Sequence, residues 1–351
     1  MEKLRKKEAP ELVDELLREA VALKASDLYW IPGRKTVSVI SKVDGIQRKI
    51  REIDSETGAQ CVARIKVMAQ LLSYRSQVSQ DGVIRDEKTF PGVEFRVGVM
   101  PSVFGERIDL RLVDKNAGPK TLDELNFEPS VVAKLREILR RPSGLIVLTG
   151  PTGCGKTTTI YALVRELLKE KSGEDASIIS IEDPVESLVD GITQVSLSRT
   201  SDEWNYPLAL RAALRQDIKT LVIGEMRDPE VVKVALDAAF TGHRVISSFH
   251  AGDIPSVYAR ILHQGFEPFL VASAISGILS QRLLSKSDGS GRLPLAAALL
   301  PDDSWRDFII SKPSLAELKA RMDSMPEASL EAAAKRLLQQ RLIDPKEAQL
   351  L

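Results

Sequence analysis

The sequence Gly150-Pro151-Thr152-Gly153-Cys154-Gly155-Lys156-Thr157 follows an apolar segment, Leu145–Leu148, and precedes a helical one, Thr157–Leu168. It matches the pattern G-x-x-x-x-G-K-[ST] at every fixed position, in the strand–loop–helix context that the pattern requires. Glycines let backbone N–H groups turn inward around phosphates, and the start of the helix adds a partial positive charge. A chance glycine-rich turn is the alternative. We therefore predict a nucleotide-binding loop that also includes Thr158, in which Lys156 reaches the β- and γ-phosphates and Thr157 binds Mg²⁺.

Strands and helices are expected to alternate on both sides of this loop. Short apolar segments are separated by amphipathic ones from Ser130 onward, which is typical of βαβ units. Such units form an α/β fold, a mostly parallel sheet with helices on both faces. The strands are expected at Leu145–Leu148, Ile178–Ile181, Thr220–Ile223 and Val245–Phe249, and further helices at Val131–Leu139, Tyr206–Leu214 and Glu230–Phe240.

The beginning of the chain has a different pattern. An amphipathic helix, Glu11–Lys24, precedes strand-like segments separated by turns such as Pro32-Gly33-Arg34, which predict a small α+β domain. We expect this domain over 1–113, a linker over 114–129 and the P-loop domain over 130–284. Residues 285–351 are expected to form a helical region.

Composition excludes several classes of protein. The 351 residues include 49 Lys or Arg and 49 Asp or Glu, so the formal net charge is zero, which argues against nucleic acid or an anionic membrane as the main partner. With two cysteines and three histidines, a disulfide scaffold and a tetrathiolate zinc site are excluded. No segment is apolar enough to span a membrane, and Met1–Pro10 lacks the apolar core of a secretory signal. We expect a cytosolic protein without bound zinc.

Carboxylates cluster where two predicted strands end. Glu182, Asp183 and Glu186 follow Ile178–Ile181, and Glu225 ends the strand that begins at Thr220. Ligands of parallel sheets collect at the carboxyl ends of the strands. We therefore expect Glu182 and Asp183 to handle Mg²⁺, and Glu182 also to take part in catalysis. Glu225 is expected to be the general base for water that attacks the γ-phosphate. A solvated acidic turn and an ordinary strand-end acid are the alternatives.

Two of the three histidines flank one predicted strand. His243 precedes Val245–Phe249, and His250 follows it. A structural histidine is the alternative for each. Because His250 comes at the carboxyl end of its strand, it is the one placed to sense the γ-phosphate.

Taken in their order along the chain, these motifs resemble those of the secretion ATPase superfamily. Its members include the motors of type II secretion and type IV pili. The resemblance covers nearly the whole chain. Its aspartate box corresponds to Ile181–Glu186, its Walker B segment to the stretch from Leu214-Arg215 to Met226-Arg227-Asp228, and its histidine box to Thr241–His250. Gly224 stands where an ordinary Walker B strand has an aspartate, and this too is the family's pattern.

The resemblance implies a RecA-like P-loop motor domain preceded by a small PAS-like domain. It implies an ATPase that uses ATP with Mg²⁺ and assembles as a homo-oligomeric ring, a hexamer in this family. Such a ring works at the cytoplasmic side of the inner membrane, where it drives a platform protein and assembles a pilus or pseudopilus. The resemblance also marks Glu186, Arg215, Arg227 and His243 as positions of the family's motifs. Nucleic acid is not an expected partner.

Three arginines are further candidates. The segments Phe95-Arg96-Val97 and Gly105–Leu112 resemble the part of the family that supplies arginines to the nucleotide. Arg96, Arg107 and Arg111 are therefore expected to neutralise charge on the γ-phosphoryl group. If a neighbouring subunit supplies them, hydrolysis becomes coupled to subunit motion. Ordinary surface arginines on strands are the alternative.

Other segments indicate which branch of the family the chain resembles more. Glu267–Ser273 and Gln281-Arg282-Leu283 resemble the assembly branch more than the retraction branch. Ser285–Arg292 stands where that branch commonly has a tetracysteine zinc module, and no segment resembles its long N-terminal recruitment domain. The segments after Asp217 and His250 also depart from the family pattern. An assembly motor is the main interpretation; a retraction motor, a low-turnover ring component and a nucleic-acid motor are the alternatives.

Overall fold

The structure is a computed structural model that describes residues 8–43, 45–114, 118, 120–170, 177–197 and 205–348. It has two compact units, which divide between Ala117 and Gly118. Residues 115–117 and 119 of the predicted linker lie outside the described residues. Each unit has its own hydrophobic core.

The first unit is an α+β unit, as the sequence predicts. Its described elements are α1 (Ala9–Ala22), β1 (Asp27–Pro32), β2 (Thr36–Val43), β3 (Ile46–Asp54), α2 (Ser55–Met68), β4 (Gln80–Arg85), β5 (Val93–Ser102) and β6 (Gly105–Asp114). The strands form one antiparallel sheet in the order β3-β2-β1-β6-β5-β4. Its core includes Leu16 and Leu17 from α1 and Trp30 and Phe95 from the sheet. Burying side chains of this size stabilises the fold by about 1.5–3 kcal/mol each.

The second unit contains the P-loop. Its described strands are β7 (Gly144–Thr149), β8 (Ile178–Glu182), β9 (Thr193–Ser196), β10 (Thr220–Met226), β11 (Arg244–Phe249), β12 (Ile275–Ser285) and β13 (Arg292–Leu299). Its described helices are α3 (Pro129–Arg140), α4 (Lys156–Glu170), α5 (Tyr206–Ala213), α6 (Pro229–Phe240), α7 (Ile254–His263), α8 (Pro268–Ala274), α9 (Asp303–Ile310), α10 (Leu315–Asp323), α11 (Leu330–Gln339) and α12 (Pro345–Ala348). Two short 3₁₀ helices lie at Asp123–Leu125 and Pro326–Ala328.

One sheet organises the second unit, in the order β13-β12-β7-β11-β10-β8-β9. Neighbouring strands are parallel except β12 and β13, which are antiparallel. Leu145 and Val147 of β7 belong to one hydrophobic core, and Ile146 and Leu148 to another, because successive side chains of a strand point to opposite faces. Helices therefore cover both faces, and the predicted α/β fold is confirmed. The carboxyl ends of β7, β8, β10 and β11 share one edge.

The C-terminal part of the chain differs from the sequence-based expectation at its beginning. Helix is expected from 285 onward, but β12 extends to Ser285 and β13 follows it. β13 contains Ala296-Ala297-Ala298, and alanine is the strongest helix former. Pairing with β12 overrides this local preference. The helical region itself is confirmed and begins at Asp303.

The segment before α3 is part of the second unit. Leu122 and Phe127 fall within the predicted linker, yet both are buried in the core beneath α3 and α4. None of the helices in the described part of the chain combines the length and the apolar composition that crossing a membrane requires.

Candidate functional site

The P-loop connects β7 to α4 at the carboxyl edge of the sheet. Gly150, Gly153 and Gly155 have φ angles of 143°, 77° and 94°, a region that residues with a Cβ rarely adopt. Successive N–H groups in such a loop form a concave site for anions at the start of the helix. The Nζ of Lys156 lies within the loop, 2.8 Å from the carbonyl oxygen of Gly150 and 3.0 Å from that of Pro151. The loop therefore has the geometry and the charge of a phosphate site.

Space as well as φ requires glycine at position 150. A Cβ there would lie 2.2 Å from the carbonyl oxygen of Gln281 and 2.8 Å from Sγ of Cys154. Cys154 is buried, and burial raises the pKa of its thiol. The thiol is therefore uncharged at neutral pH and packs against the loop, as expected of a side chain at a variable position of the motif.

Glu182 ends β8 and is only 4% exposed. Its Oε2 accepts a hydrogen bond from Oη of Tyr161 at 2.5 Å, while Oε1 accepts bonds from Ser180 Oγ at 2.7 Å and Gln194 Nε2 at 3.3 Å. The sequence suggests that this carboxylate handles Mg²⁺ or takes part in catalysis. This role stays a prediction: both oxygens are engaged inside the fold, so a ligand role would require their buried donors to find other partners.

Asp183, next to Glu182, reaches the surface. Its side chain is 16% exposed, and its Oδ2 lies 3.8 Å from Nη1 of Arg227. Glu186 is exposed on the same turn. Of the three acidic residues predicted here, Asp183 is therefore partly exposed and ion-paired with Arg227.

Tyr161 fixes the acidic turn to the helix that follows the P-loop. Besides donating to Glu182, its hydroxyl accepts hydrogen bonds from the backbone N–H groups of Glu186 at 3.2 Å and Ser187 at 3.3 Å. Burial and the hydrogen bond to Glu182 both raise the pKa of this phenol, so it stays protonated at neutral pH. One hydroxyl thus joins α4, the end of β8 and the acidic turn.

Replacing Tyr161 by phenylalanine is expected to lower the free energy of unfolding by about 1–3 kcal/mol. The ring is retained, but a buried carboxylate oxygen and two N–H groups lose their partner. Denaturant unfolding of the full chain measures the change. Tyr74→Phe is the matched control, since Tyr74 is 78% exposed. Equal stability of the two variants would contradict the assignment.

Glu225 lies near the end of β10, next to a bulge. The pairing of β10 with β11 shifts between Ile223 and Glu225, which leaves Gly224 as an extra residue and redirects the following side chain. Its carboxylate accepts hydrogen bonds from Arg227 and from Nε2 of His250, the latter at 2.9 Å. Burial opposes ionisation, but Arg227 and His250 outweigh it and lower the pKa of Glu225. The carboxylate is therefore ionised at neutral pH, as a general base must be.

His250 and the P-loop line one cleft. The volume of this cleft is about 410 Å³, and its wall includes Gly150, His250, Ala251 and Arg260. Thr149 at the end of β7 ties the two sides together, because its Oγ1 donates to the carbonyl oxygen of Ala251 at 2.7 Å and accepts from the N–H of Ala251 at 3.1 Å. The structure thus brings the P-loop, Glu225 and His250 together at one edge of the sheet.

The three predicted arginines lie on the sheet of the first unit. Arg96 of β5 is directly opposite Arg111 of β6 in the antiparallel register. Nε of Arg111 donates to Oδ1 of Asp27 at 3.3 Å, and Nε of Arg107 donates to Oδ1 of Asp109 at 2.9 Å. Asp27 thus offsets part of the repulsion between Arg96 and Arg111. The role of the arginines toward a nucleotide stays a prediction.

Comparison with known proteins identifies the family. Residues 2–293 match the family described as Type II/IV secretion system protein. The chain belongs to this family. It is 37% identical over 295 residues to the Type II secretion system protein HxcR of Pseudomonas aeruginosa, with 84% of this chain and 61% of HxcR covered. It is 38% identical over 274 residues to the type IV pilus assembly ATPase PilB of Myxococcus xanthus, with 78% and 47% covered.

The chain spans about half the length of these curated relatives, 61% of HxcR and 47% of PilB. Among solved structures, the crystal structure of the pilus retraction motor PilT with bound ADP resembles this chain over a larger share of its own length than these curated relatives do. The alignment covers 96% of each chain, with a TM-score of 0.72 and 27% identity. The secretion-family fold is therefore shared across both units.

Two positions of the family pattern lie away from the cleft. His243 precedes β11 whereas His250 follows it, and a strand of that length separates them by about 20 Å. Nδ1 of His243 lies 3.2 Å from the carbonyl oxygen of Ala238 near the end of α6. Arg215 is exposed on the amino-terminal side of β10. The structure thus separates His243 and Arg215 from Glu225 and His250.

Sequence reasoning missed the contacts of three residues near the site, Tyr161, Gln281 and Arg282. Gln281 and Arg282 entered only as part of a branch motif, although a glutamine within the apolar segment that forms β12 was itself a signal of a buried polar contact. Tyr161 gave no comparable signal, because it fits the apolar stripe of α4.

Proposed function

We propose that this chain is an ATP-hydrolysing motor subunit that drives assembly of a type II secretion pseudopilus or a type IV pilus. One observation carries the proposal: the P-loop and His250, with Glu225 in hydrogen-bond contact, lie at a single cleft. A phosphate-binding loop beside an ionised carboxylate can both hold a nucleotide and activate water. The names of the relatives HxcR and PilB support the pathway.

The residues of the loop fit a triphosphate with Mg²⁺. Three glycines of positive φ and the start of α4 suit the phosphates. The hydroxyl of Thr157 and the carboxylate of Asp183 are the oxygen donors that Mg²⁺ prefers, and this ion is commonly held by one or two such groups together with phosphates and water. The described residues contain no cluster of three or more His, Cys, Asp or Glu side chains suited to a metal ion. When bound, Mg²⁺ neutralises charge on the β- and γ-phosphates.

Each side chain then has one task. Lys156 binds phosphate oxygens in exchange for the carbonyl oxygens that its Nζ contacts. Glu225 accepts the proton of the attacking water. His250 donates a hydrogen bond to Oε2 of Glu225 and so orients the carboxylate. Asp183, whose carboxylate is more exposed than that of Glu182, would be the acid that holds the metal.

We also propose a homo-oligomeric ring, a hexamer by family resemblance. In it Arg96, Arg107 and Arg111 of one subunit would stabilise the γ-phosphoryl charge in its neighbour, which couples hydrolysis to subunit motion. The ring would act on an inner-membrane platform protein from the cytoplasmic side. This arrangement is supported by the grouping of the arginines on two adjacent strands.

Two measurements on the purified full chain test the proposal. Phosphate release from ATP is expected to require Mg²⁺, and the particle formed with a non-hydrolysable ATP analogue is expected to have about six times the mass of one chain. Absence of phosphate release contradicts hydrolysis, whereas a monomer under these conditions contradicts only the ring. Turnover that requires DNA or RNA would favour a nucleic-acid motor instead.

A retraction motor is the second candidate. The likeness to the retraction motor PilT, over 96% of both chains, favours it. Deleting the gene separates the two candidates: loss of pili or secretion supports assembly, and an excess of unretracted pili supports retraction.

A further inference from the structure

Gln281 of β12 reaches across to the P-loop. Its side chain is 2% exposed. Its Nε2 donates to the carbonyl oxygen of Cys154 at 2.6 Å, and its Oε1 accepts from Oγ1 of Thr159 on α4 at 3.0 Å. The backbone of Gln281 also touches the loop, because its carbonyl oxygen occupies the space where a Cβ at Gly150 would lie.

These contacts supply hydrogen-bond partners that the P-loop requires. When the N–H groups of a P-loop turn inward toward an anion, some of its carbonyl groups turn outward and require donors. An amide side chain supplies a donor and an acceptor on one rigid plane. Gln281 uses the donor for Cys154 and the acceptor for Thr159, so it fixes the loop relative to the first turn of α4.

The next residue, Arg282, contacts the other loop of the site. Its Nη2 donates to the carbonyl oxygen of Gly252 at 2.7 Å. The two preceding carbonyl groups are also held, that of His250 by Arg260 and that of Ala251 by Thr149. Each residue of the loop that begins with His250 is therefore attached to a different element, and β12 provides one of the three attachments.

Successive side chains of a strand point to opposite faces. This is why neighbouring residues of β12 reach two different loops, the P-loop through Gln281 and the His250 loop, residues 250–252, through Arg282. We propose that Gln281 and Arg282 are paired positioning residues. Gln281 sets the conformation of the P-loop and with it the affinity for nucleotide, whereas Arg282 sets the His250 loop and with it the rate of turnover. This inference rests on the proposed ATP hydrolysis.

The first test separates binding from turnover. Gln281→Met keeps the length of the side chain and removes both hydrogen bonds, so we expect about a tenfold weaker affinity for ADP and a kcat within about twofold of wild type. Arg282→Met is expected to lower kcat about tenfold and the ADP affinity by no more than about threefold, since its guanidinium charge also acts on the P-loop at Cys154. Arg282→Lys, which keeps the charge and a donor, is expected to recover part of the loss. Parallel loss of affinity and kcat in both variants would overturn the proposal.

The second test does not depend on hydrolysis. Amide hydrogen exchange, measured without nucleotide, is expected to accelerate at Gly150 and residues 152–155 in Gln281→Met and at residues 250–252 in Arg282→Met. The control is Ser280→Ala, since the buried Oγ of Ser280 has no hydrogen-bond partner among the described residues, and it should change neither segment. Acceleration of both segments in each variant, or of neither, overturns the proposal. A wild-type chain that fails to hydrolyse ATP but shows this exchange pattern contradicts only the proposed function.

Discussion

Replacing Glu225 by glutamine is expected to lower kcat for ATP hydrolysis about a thousandfold while the affinity for nucleotide stays close to that of wild type. A side-chain amide has nearly the same shape as the carboxylate but cannot accept the proton of the attacking water, and general bases contribute factors of about 10²–10⁴. The affinity is retained because the P-loop, not Glu225, contacts the phosphates in the proposed arrangement. Steady-state phosphate release and equilibrium binding of ADP measure the two quantities.

Glu230→Gln is the matched control for this prediction. Glu230 is an exposed carboxylate that pairs with Arg211 at 2.7 Å on the surface of the second unit, so its replacement should leave kcat unchanged. A Glu225→Gln variant that turns over as fast as this control would show that another group activates the water. It would also favour the alternative of a ring component with little turnover.

Replacing Lys156 by alanine is expected to weaken nucleotide binding at least about a hundredfold, which corresponds to about 2.7 kcal/mol. The ammonium group lies within the P-loop, between two carbonyl oxygens and the start of α4. Its removal deletes the one full positive charge that the loop itself supplies to a polyphosphate, along with charge-assisted hydrogen bonds. Equilibrium binding of ATP in the presence of Mg²⁺ checks the result.

Lys233→Ala serves as the control, because Lys233 is an exposed lysine on α6 that pairs with Asp237 at 2.7 Å. It removes the same charge from the chain at a site outside the cleft. If Lys156→Ala retains ATP as tightly as this control, the P-loop does not bind the triphosphate and the proposed function fails with it.

The parts of the site that depend on local spacing could be predicted from the sequence. The residues from Gly150 to Thr157 form one loop, so their order alone determines which groups surround an anion. Glu225 and His250 follow apolar strands, and the common edge of a parallel sheet brings such strand ends together. The hydrogen bond between them is the result of that general rule.

The burial of Glu182 could not be predicted in the same way. Its partners come from α4 and from β9, at Tyr161 and Gln194, and no spacing in the sequence connects these positions. The contact between Gln281 and Cys154 likewise depends on β12 lying beside β7. By contrast, the separation of His243 from His250 follows from strand length alone and could have been anticipated.

The bulge at Gly224 bears on how the candidate site could be redesigned. A side chain at 224 would bring its Cβ to 3.1 Å from the Tyr206 hydroxyl and 3.4 Å from the Cα of Glu182. The second distance is an ordinary van der Waals contact, so the Tyr206 hydroxyl is the tight neighbour and would have to move by a few tenths of an ångström. Placing the aspartate of an ordinary P-loop enzyme at position 224 therefore depends on how far the ring of Tyr206 on α5 can adjust. A smaller residue at position 206 would make room for it.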